Sequence, residues 1–155
     1  MTTREGNGLV RQAVAVWVAL LAFAMINGYF RVRFLEPQVG GDVAHLLSTT
    51  TLCGAVFVAA LLFIGNRGRT PTIRELFGIG LLWSTSTVLL ETALGLAAGG
   101  RSATELFADY DLTRGRIFVL VLLVEIVAPP LVGWLRHCAE RGPGDKKTLS
   151  APTPE

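Results

Sequence analysis

Charge is what this chain lacks where it matters most. Only 17% of its 155 residues are Asp, Glu, Lys or Arg, while 51% are hydrophobic and mean hydropathy is +0.50, too apolar for a water-soluble domain of this length. Histidine and cysteine are equally sparse, two of each. No HExxH, no CxxC and no paired histidines at ligand spacing are present, so the sequence offers neither a metal site nor a cofactor site. No Gly-rich phosphate loop and no GxSxG occur, and the basic residues form no nucleic-acid face. Cys53 falls inside an apolar run and Cys138 beyond another, depths at which they are not expected to pair.

What is present is four long apolar runs: 13–30 without charge, 43–64 with only His45, 76–98 with only Glu91, and 117–135 with only Glu125. Each matches the roughly 17 to 25 residues that a helix needs to cross a hydrocarbon layer of about 30 Å. Backbone amides in lipid need internal partners, so helices are expected there and isolated strands are not. The expected fold is all-α: a four-transmembrane-helix bundle over 13–137, preceded by a cytoplasmic segment, 1–12, and followed by a disordered cytoplasmic tail, 138–155. Residues 1–8 are also too polar to suggest order.

Orientation follows from Lys and Arg retained on the cytoplasmic side. Arg4, Arg11, Arg67, Arg69, Arg74, Arg136, Arg141, Lys146 and Lys147 fall on one side. Arg31, Arg33, Arg101, Arg114 and Arg116 fall on the other, where Glu36, Asp42, Glu105, Asp109 and Asp111 balance them. Both termini are therefore expected to be cytoplasmic. Arg4, Arg11 and the Ala22-Phe23-Ala24 triplet also fit a cleavable signal, but the apolar run continues to Phe30, which favours a spanning helix.

The connections carry local signals. Thr72 followed by Glu75 reads as a capping box opening the third helix. Ser102 to Phe107 reads as a short surface helix leading into Asp109-Tyr110-Asp111 and Arg114, a dense polar run; solvated connection and binding edge both fit it.

Glu91 is the sharpest feature, because a carboxylate inside a span costs a few kcal/mol unless neutralised, paired or hydrated. Ser84 and Thr87 share its helix face. Asn27 with Arg31 on the first helix, His45 with Ser48 on the second, and Arg114 with Arg116 opening the fourth are expected at similar depth, with Tyr110 beside them. Arg31 and Arg114 are the counter-ions this pattern suggests for Glu91. Glu125 stands apart, in the middle of the fourth helix, ahead of Pro129 and Pro130, which free carbonyls on the preceding turn and suggest a kink. Interhelical hydrogen bonding alone is the competing explanation for every one of these groups, and the Gly95 and Gly99 spacing would permit close helix approach.

The combination Asn27-Gly28, Arg31, His45-Leu-Leu-Ser48, Glu91, Ala108-Asp109-Tyr110-Asp111-Leu112 and Gly115-Arg116 resembles a family of small uncharacterised bacterial four-helix integral membrane proteins, over about residues 12–137. The resemblance implies the bundle and a bacterial inner membrane, and no activity. Family members often carry an aromatic after the Glu and a Gly-His-Tyr beyond it; Thr92 and the run from Gly95 to Gly100 depart from that pattern.

Three functions follow in order. The first is non-enzymatic, an outer-leaflet polar site around Glu91, Arg31 and His45 for a small polar or lipid ligand or a partner helix. The second is a proton-coupled transporter, a dimer because four short helices enclose little volume, with Glu91 or Glu125 as protonation site. Small multidrug exporters share that size and an embedded Glu, but theirs lies in the first helix, where this chain has none. The third is a membrane enzyme acting on a lipid or quinone, with His45 or Glu91 as general base.

Overall fold

A computed structural model describes residues 3–66, 68, 70–99 and 118–140. They form helices α1 (Thr3–Phe30), α2 (Glu36–Val39), α3 (Gly41–Gly65), α4 (Ile73–Gly99) and α5 (Phe118–Glu140), with a π-helical segment, Arg31–Leu35, between α1 and α2. Four helical rods, Gly6–Val39, Gly41–Gly65, Ile73–Leu94 and Val119–Ala139, are each long and apolar enough to cross a membrane.

The first rod differs most from expectation. It starts at Thr3, well ahead of Ala13, in a stretch that composition marks as disordered; Leu9 and Ala13 both pack into the core and hold this end in place. It also runs through the expected outer loop. Pro37 has no amide hydrogen, yet the first turn of α2 tolerates it. The turn before it widens, and the Glu36 amide donates to the Arg31 carbonyl, the five-residue step of a π-helix. The reversal into α3 is confined to Gly40, whose φ of 82° is a conformation that L side chains rarely adopt. The other boundaries shift modestly, α5 continuing to Glu140 beyond the expected end at Leu135.

Within the bundle α5 packs most extensively against α4 and then against α3, while α1 closes the ring through smaller contacts with α3 and α4. The core contains Ala13, Ala60 and Ala128, with Trp83, Ile64, Leu76 and Val56 filling the larger gaps. Outward-facing positions are conversely large and apolar, among them Met25, Ile26, Leu61, Leu62 and Leu89. Large apolar residues thus stand on both the inner and the outer faces of the bundle.

Three local devices hold the ends. Thr72 and Glu75 form the expected capping box: the Thr72 amide donates to Glu75 Oε2 at 2.8 Å, and the Glu75 amide to Thr72 Oγ1 at 3.4 Å. Arg136, on the last turns of α5, donates to the Ile64 carbonyl near the end of α3, tying the two helix ends together. Trp83 is fully buried, its indole Nε1–H donating to the Ala13 carbonyl at 2.9 Å, which pins α1 to α4.

Candidate functional site

Among the described residues, Glu125 is the buried carboxyl. On α5 it shares its inward face with Val121, Leu122, Ala128 and Val132, and only 4% of it is exposed. Burial of an acid among these groups demands hydrogen bonds, and α4 supplies one: the Thr87 hydroxyl donates to Glu125 Oε1 at 3.0 Å. The same hydroxyl accepts the Trp17 indole Nε1–H at 3.1 Å. Trp17, Thr87 and Glu125 thus form a directed chain across α1, α4 and α5, with the threonine's one donor and one of its lone pairs in use. Glu125 Oε2 is buried and accepts no hydrogen bond from the described residues.

Glu125 lines a cavity of about 200 Å³, whose polar members are Glu125, Thr87, Trp17 and Glu91 and whose other walls are apolar residues of α1, α3, α4 and α5. Glu91 is exposed and stands at its rim, with Met25 and Leu94, also exposed, beside it. The polar stripe expected on α4 therefore exists and has a gradient: Ser84 is buried, Thr87 half-buried and Glu91 open. The two acids, expected as separate features at different depths, line one cavity. Glu125 lies about 10 Å along α5 from Phe118, and Glu91 about 12 Å short of Gly99 along α4.

Pro129 and Pro130 lie inside α5, which continues through both as one helix. Without amide hydrogens they leave the Glu125 and Ile126 carbonyls, four residues back, without their intrahelical donors. Both carbonyls face Gly80 of α4: a Cβ built there would lie 2.8 Å from Glu125 O and 2.6 Å from Ile126 O. The glycine brings α4 close where α5 has backbone polarity to spare.

The remaining predicted residues separate into three groups. Asn27 and Ser48 do meet, the Asn27 carboxamide donating to the Ser48 carbonyl at 2.9 Å and to Ser48 Oγ at 2.8 Å, which links α1 to α3. Arg31 does not serve Glu91. It pairs with Glu36 at 2.8 Å, because the widened turn stacks residues five apart and places that acid beside it. His45 is half-buried on the first turns of α3 and joins neither the cavity nor the Asn27–Ser48 pair. Arg114, Arg116, Tyr110 and the expected 102–107 helix lie outside the described residues, as do residues 141–155 and the side-chain environment of Gly95 and Gly99. Both cysteines are free thiols.

No protein-family profile, curated protein or solved structure matches the chain. The site is therefore read from its own chemistry. An acid held by a single threonine, a second acid at the opening and apolar walls form a place where a carboxyl meets a small, mostly apolar space.

Trp17 and Gly80 are the members of this arrangement that sequence reading passes over. The signal for Trp17 is its position: tryptophans favour the membrane interface, and one placed inside a span must find an acceptor for its N–H.

Proposed function

We propose that this chain is an integral membrane protein with four spans, both termini cytoplasmic, that binds a small ligand in a cavity in the outer half of the bilayer, with no catalysis. Orientation is supported by the excess of Lys and Arg at the α1 start, the α3–α4 connection and the α5 end. The first rod would extend about 51 Å against a hydrocarbon layer of about 30 Å, so its end near Gly40 projects or tilts at the outer surface. A bacterial inner membrane is the setting that the resemblance implies.

The observation that carries the binding reading is Glu125, almost wholly buried and lining a cavity, with one oxygen that accepts no hydrogen bond from the described residues. A residue kept only as interhelical glue would have both oxygens engaged by the neighbouring helices, the cheaper arrangement in lipid. This moves the proposed centre from Glu91, Arg31 and His45 to Glu125 and Glu91.

Proton-coupled transport is the second reading, favoured by the two carboxyls sharing one cavity. Catalysis finds less support, since His45 stands away from the cavity.

Thermal unfolding of the purified protein in lipid nanodiscs, screened against small amphiphiles, tests the binding reading. A ligand that raises Tm in the wild type and leaves Leu90→Trp unchanged supports it, because Leu90 lines the cavity and the indole would fill it. A full screen with no compound separating the two proteins would sink it.

A further inference from the structure

Resting on the binding reading just given, we infer that the Glu125 cavity takes a lipophilic organic cation, an amine with a short apolar body, entering from the bilayer through the opening between α1 and α4.

Charge decides the class. Among the described residues, the cavity has two carboxyls in its lining and no Lys, Arg or His. An anion would meet repulsion from either acid when ionised, and a neutral ligand would leave such a charge unmatched in a low-dielectric space. A cation supplies a partner and donates to the carboxyl of Glu125, which lines the cavity and whose Oε2 has no donor among the described residues.

The rest of the lining selects among cations. Calcium and magnesium want about six or more oxygen ligands, whereas this cavity offers two carboxyls and one hydroxyl amid leucine, valine, alanine and methionine. An ammonium needs few acceptors, and its hydrocarbon body fits walls of that kind. Trp17 has its N–H committed to Thr87, so what the indole presents to a ligand is π surface, which favours a cation. A volume of about 200 Å³ admits a compact amine and no large one.

Access follows from the rim. Met25 is 70% exposed and Leu94 56% exposed, on α1 and α4, with exposed Glu91 between the interior and that edge. In a four-span protein this edge faces lipid, where an amphiphilic amine concentrates. Glu91 meets it first, and Glu125 holds it.

The test uses two probes that differ in charge and little in shape, benzylamine and benzyl alcohol. Each is measured by equilibrium dialysis against the full-length protein in nanodiscs, with protein-free nanodiscs subtracting lipid partition. The expected result is benzylamine bound on the order of tenfold tighter or more than the alcohol, the range of one charged hydrogen bond. Glu125→Gln brings that ratio close to one. Glu91→Gln, at the exposed rim, lowers the ratio without abolishing it, and Leu90→Trp removes binding of both probes. Equal binding of amine and alcohol, both lost in Leu90→Trp, overturns the cation class and leaves the cavity as a binding site. Absence of specific binding by either probe overturns the site itself, and this inference falls with it.

Discussion

Gly80 of α4 sits against the backbone of Ile126 in α5, so close that a Cβ there would come within 2.6 Å of the Ile126 carbonyl oxygen. The contact joins two sequence features that look unrelated. Pro129 and Pro130 strip two carbonyls of their intrahelical donors, and a glycine on the neighbouring helix lets its backbone approach them, where weak Cα–H···O contacts are available. The α4–α5 seam, the most extensive in the bundle, is therefore set by backbone proximity one turn from the Glu125 side chain.

Gly80→Ala is expected to destabilise the protein by about 1–3 kcal/mol, since a methyl group against backbone can be relieved only by parting the helices. Gly78→Ala, two residues away with nothing within 4 Å of the added carbon, is expected to be neutral or stabilising by up to about 1 kcal/mol through helix propensity. Unfolding in mixed micelles, followed by circular dichroism, compares the two. Equal effects would mean that the close approach contributes nothing.

Trp83 separates packing from hydrogen bonding at the α1–α4 contact. Trp83→Phe keeps a ring beside Phe63, whose own ring lies 6.1 Å away edge-on, and removes the donor to Ala13. A loss of about 0.5–1.5 kcal/mol is expected. Trp83→Ala also opens a cavity in a fully buried position, for an expected loss of about 3–5 kcal/mol. The same unfolding assay reads both, and a Phe variant as damaged as the Ala variant would show the hydrogen bond to dominate.

The four apolar rods are legible in the sequence because length and hydropathy are local properties, and so is the Thr72–Glu75 capping box. Glu91 and the Thr87 stripe are legible too, since polar groups inside a span are few. What escapes is whatever depends on a helix's rotation against its neighbour. Glu125 reads as an isolated midspan acid until α5 is turned toward α4, when it shares a cavity with Glu91. Arg31 escapes for another reason. An α-helical period stacks it over Leu35, whereas Pro37 and the π-turn before it put Glu36 within 2.8 Å, and no fixed period carries that change.

Asn27 tests how much one polar link contributes between α1 and α3. Its two hydrogen bonds to Ser48 compete with partners that the unfolded chain also finds in lipid, so Asn27→Leu is expected to lose only about 0.6 kcal/mol, and at most about 1.7. Ser48→Ala removes Oγ and leaves the carbonyl, and the double-mutant cycle isolates the side-chain pair. A coupling near zero would show that the backbone acceptor alone suffices.

Cys138 reports orientation without any engineered tag. It is an exposed thiol near the end of α5, whereas Cys53 is half-buried within α3. A membrane-impermeant maleimide applied to intact bacterial cells expressing the protein is expected to label Cys138 only after permeabilisation. Labelling of intact cells would place the C-terminus outside and invert the proposed topology.

Thr87 is the smallest change that tests the polar chain through the bundle. Thr87→Val preserves shape but deprives the Trp17 N–H of its acceptor and Glu125 Oε1 of its donor. Two buried or half-buried groups lose partners together, and each such loss costs about 1–3 kcal/mol where no water replaces it. Thr87→Ser retains the hydroxyl and is expected to stay near the wild type. Thr50→Val provides the matching control, because the Thr50 hydroxyl donates to the Leu46 carbonyl of its own helix at an exposed position. The expected order of stability is Thr50→Val and Thr87→Ser near the wild type, with Thr87→Val well below. Trp17 emission should shift only in the last. A Thr87→Val variant as stable as Thr87→Ser would mean that the threonine merely fills space and that Glu125 is held by packing alone.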